Sequence, residues 1–559
     1  MNQEQAIPND AAQSSSHLTK PWLTVPLLYF MQAIPVFIVQ QVSLLVYKDF
    51  GVDNLLITRW TSLIALPWSM QFLLGPLVEF NGTKRSWILG GQAIISVTLI
   101  IAAFSLGLPD AFNSSLAIFA VTAITSALCN IATDGFYIIA QTKSDQTKYA
   151  GIQTTFFRLG RLFCMWLLVK VAGKLVAEHG YKPPQAWTFV LAAASGLYLI
   201  GFLVNARTVP KLSIDEPKPQ TEPNQNKRNL ARTLLITAAG LAAYFMLNAM
   251  TRLAAHGLWK TLDGDPLGKL KGWMLNFPEN KIKVDGIEQT VQLPVRWGPL
   301  DSPFSPIMSE VAQAAICGAL LVGAVVWLKK VLKGTEMATA MSTFFRQEGI
   351  PAILFFVLFY RLPEAMLGGL TALFFKDPVA KGGLGITTEQ VGDIKGLFSV
   401  FGIIVGGLIG GYIVHKLGLK KAFLPVAIAM HLPNILYLLA SMNNSAIPPL
   451  PQLTDIAHFV SHPLVLIEFF DQMGYGIGYA AYFVYLMQVA QRGSYVTAHY
   501  AIASGLGALC IAMAGIVGGI VQSNYGWVGF FWAVIIATLP GLIALYLIPW
   551  NDKQEPVAA

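Results

Sequence analysis

Asp134, Arg158, Arg361, Glu364 and Asp471 each fall inside an apolar run long enough to cross a bilayer. A charge at bilayer depth costs at least about 2.5–3.5 kcal/mol, so each needs a partner or a water-filled cavity. Asp134 lies nine residues before Lys143, and Arg158 lies ten residues after Lys148. At about 1.5 Å per residue, both sit about 13–15 Å from the same membrane face on consecutive spans. Equal depth allows an Asp134–Arg158 pair that a proton on the carboxylate would break. Arg361 and Glu364 are three residues apart and share a helix face. Arg361 and Asp471 both fall near mid-membrane, the depth at which membrane-embedded solute sites usually lie. A guanidinium matches a carboxylate bidentately, which makes Arg361 the candidate for anion recognition. Glu364 or Asp471 could carry a proton. In both sets the competing reading is a static internal ion pair.

Gln32, Gln71, Asn130, Asn434 and Gln472 are polar groups in apolar runs. They could bond hydroxyls of a solute, but bonding across helices is the commoner use of such residues. Tyr29, Trp68, Tyr137, Tyr360, Tyr475 and Tyr479 could stack on rings of a solute, against the more common packing role. His431 and His499 titrate near neutral pH. His499 reads as a cap or surface residue at a helix start, and Arg161 and Lys170 as snorkelling or cavity-lining cations. The cysteines Cys129, Cys164, Cys317 and Cys510 lie in apolar runs without metal-ligand or CxxC spacing, so no metal site is expected. No HExxH, GxSxG or Walker pattern occurs, which argues against an enzyme.

The elements that position these residues follow from composition. Only 12% of the 559 residues are charged, 54% are hydrophobic, and the mean hydropathy is +0.55. A soluble domain carries about 25% charged residues, so an all-α polytopic membrane protein is the class. The net charge of +8 reflects basic loops on one membrane side, not a nucleic-acid partner. Spanning runs appear at about 22–46, 55–79, 86–106, 115–141, 150–174 and 186–205. Two more appear at about 233–253 and 309–328. Six follow at about 349–375, 390–414, 419–441, 463–488, 495–522 and 526–548. The plan is a polar tail 1–20, a six-helix bundle 21–205 and a linker 206–232. Then come an inserted hairpin 233–331 with an outer loop 254–308, a connector 332–348, a second bundle 349–550 and a tail 551–559. Lys48, Lys174, Lys182, Lys376 and Lys381 are the only basic residues in the short outer segments, which puts both termini in the cytoplasm. The tail 1–20 lacks the features of a cleaved signal peptide. Within the loop, alternation around Asp285-Gly286 reads as a β-hairpin.

The turn Gly75-Pro-Leu-Val-Glu79-Phe-Asn-Gly82-Thr-Lys84-Arg85 recurs as Gly411-Tyr-Ile-Val-His415-Lys-Leu-Gly418-Leu-Lys420-Lys421. Internal repeats in a polytopic chain mark secondary transporters. Gly75 and Gly411 would let helices approach closely, and Gly82 and Gly418 would permit tight turns. The basic pairs would face headgroups and the carbonyl ends of other helices. Glu79 could pair in one conformation and release in another, a gating role that His415 does not obviously share.

This duplicated turn resembles the loops between helices 2 and 3 and between helices 8 and 9 of the major facilitator superfamily. Within it, several stretches resemble the AmpG-type muropeptide permeases. Leu28-Tyr-Phe-Met-Gln32-Ala-Ile-Pro35 is similar to that family's Phe-x-x-Gly-Leu-Pro. Gln71-Phe-Leu-Leu-Gly-Pro76-Leu-Val-Glu79 is similar to Lys-Phe-Leu-x-x-Pro-Leu-x-Asp. Ser126-Ala127-Leu-Cys-Asn130-Ile131-Ala-Thr-Asp134 is similar to Ser-Ala-x-Gln-Asp-Ile-x-x-Asp. Phe157-Arg158-Leu159-Gly160 and Tyr360-Arg361-Leu362-Pro363-Glu364-Ala365 are similar to Tyr-Arg-Leu-Gly and Tyr-Lys-Leu-Gly-Asp-Ala. Gly474-x-Gly476-x-Gly478, Thr497 to Ser504 and Gly526-Trp527 to Gly541 complete the likeness. The resemblance covers most of both bundles but not the inserted hairpin. It implies a major facilitator fold and import of GlcNAc-anhydromuramyl peptides by alternating access. The proton would be the coupling ion and no other cofactor is implied. Cys129, Asn130, Arg361 and Glu364 depart from the family pattern, which leaves another sugar, a siderophore or an acyl-CoA-like anion open as the solute. A membrane sensor binding ligand through loop 254–308 is the reading from another class. A monomer in the bacterial inner membrane is expected.

Overall fold

Helix starts follow local chemistry. Pro21, Pro183 and Pro463 each stand at the first helical position, where a missing N–H leaves nothing unsatisfied. Asp53 and Thr83 cap their helices by accepting from Leu55 N at 2.9 Å and Ser86 N at 3.1 Å. The structure is a computed structural model. It describes residues 20–69, 71, 74, 78, 82–141, 143–213, 215, 279–284, 287–292, 295–297, 300–302, 319, 322–323, 336–493 and 495–550. Gly75, Glu79, most of the tails and linker, and nearly all of both central spans lie outside these residues.

The chain divides into two units. One comprises Met1–Leu230 with Glu336–Ala559, and the other Ala231–Thr335. In the first unit the N-terminal set is α1 Pro21–Phe37, α2 Ser43–Asp49, α3 Asn54–Ile64, α4 Leu66–Ser69, α5 Lys84–Ser105, α6 Ala111–Ile139, α7 Lys143–Leu162, α8 Val169–Ala177 and α9 Pro183–Thr208. The connector contributes α10 Glu336–Phe345. The C-terminal set is α11 Ile350–Phe359, α12 Leu362–Lys376, α13 Thr388–Val391, α14 Ser399–Leu417, α15 Leu419–His431, α16 Asn434–Met442, α17 Ile456–Ser461, α18 Pro463–Ala490 and α19 Val496–Leu547. Among the described residues, eight stretches are long and apolar enough to cross a membrane by length and composition alone. The fold is an all-α polytopic one of two six-span bundles.

The second unit holds β1 Glu279–Val284 and β2 Ile287–Gln292, antiparallel with Val284 opposite Ile287. This is the expected hairpin. A second antiparallel pair, β3 Val295–Trp297 and β4 Leu300–Ser302, was not legible from alternation.

Several expected spans are interrupted. The run 349–375 breaks at Tyr360–Arg361, because Pro363 cannot donate to the Phe359 carbonyl and its ring crowds that group. Pro433 separates α15 from α16 in the same way. The last two expected spans are two helices within α19 that meet at Gly526, where the backbone leaves helical geometry (φ 67°, ψ −170°). Three π-helical turns also interrupt spans: Ile38–Val42 between α1 and α2, Phe163–Leu168 between α7 and α8, and Gly392–Phe398 between α13 and α14. Such turns cluster at functional sites.

The duplicated turns have positive φ at Gly82 (88°) and Gly418 (73°). Arg85 donates to the carbonyls of Val209 (2.8 Å) and Ala206 (3.1 Å) at the C-terminus of α9. Asp215 accepts from the backbone N–H groups of Lys84 and Arg85 at 2.8 and 2.9 Å. Lys420, Lys421 and His415 are exposed. Gly411 does not provide a close approach, since a Cβ there would meet nothing within 4 Å. The α14–α18 contact runs instead along Gly402, Gly406 and Gly410, spaced by four and therefore on one face. A Cβ on Gly406 would lie 1.9 Å from the Met473 carbonyl oxygen. Gly411 sits on the opposite, exposed side of α14.

Candidate functional site

A cavity of about 330 Å³ lies between the two bundles. Phe37, Gln40, Gln41, Thr58, Thr61 and Arg161 line it from the first bundle. Arg361, Glu364, Lys395, Asp471, Gln472 and Tyr475 line it from the second. The interrupted helices supply many of these groups. Gln40 and Gln41 lie in the first π turn and Lys395 in the third, while Arg161 is in the last turn of α7, two residues before the second. Arg361 occupies the break between α11 and α12.

Arg361 donates to the Tyr475 hydroxyl at 2.9 Å, and its guanidinium carbon lies 4.9 Å from the Tyr479 ring centroid and 5.5 Å from that of Tyr482. The break turns Arg361 away from Glu364, so the expected same-helix ion pair does not form. Glu364 instead accepts from Asn434 at 3.3 Å and lies 3.2 Å from His431 Nδ1. Lys395 pairs with the fully buried Glu468 at 2.9 Å and also bonds Thr371. Tyr437 donates to Glu468 at 2.6 Å. Gln472 donates to one oxygen of Asp471 at 2.8 Å, and the other oxygen, Oδ1, is buried without a partner.

In the first bundle the expected Asp134–Arg158 pair is not formed. α1 packs against both α6 and α7 and stands between them. Asp134 therefore meets α1, accepting from the Tyr29 hydroxyl at 2.9 Å and from Gln32. Arg158 extends toward α14, its Nη2 3.7 Å from where a Cβ on Gly407 would stand. Asp134, Arg158, Gln32 and Asn130 are not on the cavity wall. Tyr360 is fully buried and donates to the Gly478 carbonyl at 3.3 Å, with its ring parallel to Tyr482, so it packs rather than lines the cavity. His499 is buried, not a surface cap, with Thr343 3.0 Å from one ring nitrogen and Gln347 3.2 Å from the other.

Beyond the cavity, on the face where α2 ends, charges tie the bundles together. Lys48 pairs with Asp377, and Lys376 pairs with Asp49. Each aspartate also accepts an indole N–H from its own bundle: Asp49 from Trp187 at 2.8 Å and Asp377 from Trp527 at 2.9 Å. Lys170 pairs with Asp393 at 2.7 Å, and Trp166 donates to the same oxygen at 2.9 Å. Here the π turns pack directly on one another, and a Cβ on Gly396 would lie 2.5 Å from Trp166 Cα.

Lys395 and Glu468 were missed, although the burial-cost argument applied to Asp471 applies equally to them. The aromatic-Lys-Asp triplets Tyr47-Lys48-Asp49 and Phe375-Lys376-Asp377 form a second internal repeat that would have pointed to the cross-bundle pairs.

No protein-family profile matches the chain. Over 205 residues it is 29% identical to a Rickettsia conorii transporter named AmpG 4, covering 36% of this chain and 44% of that one. Over 202 residues it is 27% identical to the anhydromuropeptide permease of Escherichia coli, covering 36% and 37%. The match thus spans less than half of these curated relatives. In fold it is similar to a bacterial homologue of the human drug peptide transporters, with a TM-score of 0.54, 15% identity and coverage of 95% and 98%. It is also similar to a POT family transporter solved with a thioalcohol-conjugated peptide, with a TM-score of 0.57, 13% identity and coverage of 94% and 98%. These neighbours carry the major facilitator architecture, a pair of six-helix bundles around a central cavity. The chain is an integral, multi-pass membrane protein with the major facilitator fold, similar over about a third of its length to AmpG-type permeases.

Proposed function

We propose that this chain is a proton-driven importer of cell-wall-derived anhydromuropeptides in the bacterial inner membrane, with both termini in the cytoplasm. The observation that carries the reading is Arg361 at the break of a discontinuous helix, facing the inter-bundle cavity beside Tyr475. Half-helix breaks at the midplane are where transporters hold solutes. Arg361 would take a solute carboxylate bidentately, Tyr475 would offer a ring to the sugar face, and Gln40, Gln41 and Gln472 would bond hydroxyls.

With the termini inside, the face tied by Lys48–Asp377 and Lys376–Asp49 is the outer one. Coupling is assigned to the acids around Lys395. A proton taken up by Glu468 loosens its pair with Lys395, whereas one on Asp471 removes a competing negative charge and leaves Lys395 to Glu468 alone. Solute and proton together thereby favour one arrangement of the bundles over the other.

The test is uptake of labelled GlcNAc-anhydromuramyl tripeptide into energised right-side-out vesicles. Uptake that collapses with a protonophore and in Arg361→Ala is expected. Absence of uptake by folded, inserted protein removes the muropeptide assignment. Uptake indifferent to the protonophore removes the proton.

A further inference from the structure

Three cations line the cavity, and one of them is already neutralised. Lys395 is committed to Glu468 at 2.9 Å. Lys48, Lys376 and Lys170, which hold the bundles together nearby, likewise each have a carboxylate. Arg161 and Arg361 differ. Among the described residues neither forms an ion pair, and each is held by a hydroxyl: Arg161 by Ser399 at 3.3 Å and Arg361 by Tyr475 at 2.9 Å. In both, Nε is buried without a hydrogen-bond partner. Arg161 also lies 5.8 Å from the Phe37 ring centroid, so one side of its plane is apolar.

Neither guanidinium is fully buried, and the carboxylate that acts on Arg161, Glu468, is already paired with Lys395, so the remaining donors of both arginines stay directed at whatever enters the cavity. The two arginines belong to opposite bundles, Arg161 to α7 and Arg361 to the α11–α12 break. Two like charges that face one cavity from opposite bundles disfavour the closer approach of those bundles. A ligand that supplies an anion to each would neutralise both and draw the bundles together.

We propose that Arg161 is a second anion-binding residue, and that the cavity selects solutes carrying at least two separate carboxylates, one held by Arg161 and one by Arg361. This deepens the importer reading and rests on it for the solute's identity, though not for its charge pattern. Solutes with a single carboxylate occupy only the Arg361 side and leave Arg161 without an anion.

The test is binding to purified full-length protein, read by thermal stabilisation and isotope-labelled ligand, with two probes. GlcNAc-anhydroMurNAc has one carboxylate, and its tripeptide derivative (L-Ala, γ-D-Glu, meso-diaminopimelate) has three. Arg161→Gln is expected to weaken the tripeptide derivative by about 10- to 100-fold, the worth of a charged hydrogen-bonded contact, and to leave the one-carboxylate probe within a fewfold. Arg361→Gln should weaken both. Without ligand, Arg161→Gln should melt no lower than the parent, because Arg161 has no ion pair to lose. A lower melting point, equal losses for both probes, or no loss for either overturns the proposal. If the parent binds neither probe, the muropeptide reading has failed, and the free tripeptide decides the rest. Stabilisation that Arg161→Gln abolishes upholds the two-carboxylate site, and its absence overturns it.

Discussion

Lys48 and Asp377 form an ion pair between the two bundles, and Lys376 and Asp49 form its mirror. The residues come from equivalent places, the ends of α2 and α12, and each aspartate is backed by a tryptophan from its own bundle, Trp187 or Trp527. Breaking a buried pair by removing one partner costs about 3–5 kcal/mol, because the other charge is left stranded. Lys48→Ala should therefore shift the protein toward the conformation open on this face. A cysteine placed at Asn54 or Thr388 would then label at least tenfold faster with a membrane-impermeant maleimide. The exchange Lys48→Asp with Asp377→Lys should return labelling toward the parent rate. Equal labelling in all variants would mean that the pairs do not hold the face closed.

The Lys395–Glu468 pair makes a stability prediction. Glu468 is fully buried and Lys395 nearly so. Lys395→Ala should lower stability in detergent by about 3–5 kcal/mol, and Lys395→Met with Glu468→Gln together should cost clearly less, since no unpaired charge remains. Thermal unfolding followed by intrinsic fluorescence measures both. A double variant as unstable as the single would show that packing, not charge, governs the site.

Gly406 and Gly411 are a matched test of helix packing. A Cβ at Gly406 would lie 1.9 Å from a carbonyl oxygen of α18, and one at Gly411 would meet nothing within 4 Å. Gly406→Ala should destabilise by about 1–3 kcal/mol, the usual range for overpacking, or more because the obstacle is backbone. Gly411→Ala should stay within about 0.5 kcal/mol or gain slightly from better helix propensity. Melting curves of the two variants side by side decide it.

Arg361→Lys keeps the charge but loses the planar fork, which both donates to Tyr475 and lies near the Tyr479 ring. Uptake of the labelled tripeptide derivative should fall about 10-fold or more, mainly through KM, as expected for loss of ground-state contacts. An unchanged KM would place Arg361 outside solute recognition.

The bundles were legible because spanning length and apolar content are properties of a single segment, as in Lys84–Ser105 or Ala111–Ile139. Where segments meet was less legible. Asp134 and Arg158 share a depth, yet α1 stands between their helices, and depth alone carries no information about azimuth. Arg361 and Glu364 share a face only if the helix is continuous, and Pro363 ends that continuity. Gly411 was chosen over its neighbour Gly410 because the repeat was read as a string, whereas contact is set by the spacing of four along α14. Tyr360 and His499 show the same limit: a ring or an imidazole in an apolar run is placed by tertiary packing, which the local pattern does not encode. The charges of the cavity were partly legible, since Arg361, Glu364 and Asp471 all line it.

The π turn at Ile38–Val42 contains Gln40 and Gln41 on the cavity wall, and α2, with Lys48 and Asp49, continues the same rod. Such a turn holds one residue more than the α-helical repeat, and letting it relax to regular α geometry rotates everything beyond it by about 100°, one residue's share of a turn. The rod then acts as a torsion shaft. Any relaxation of the turn at Gln40 or Gln41 would be carried along α2 to the two charged residues at its far end.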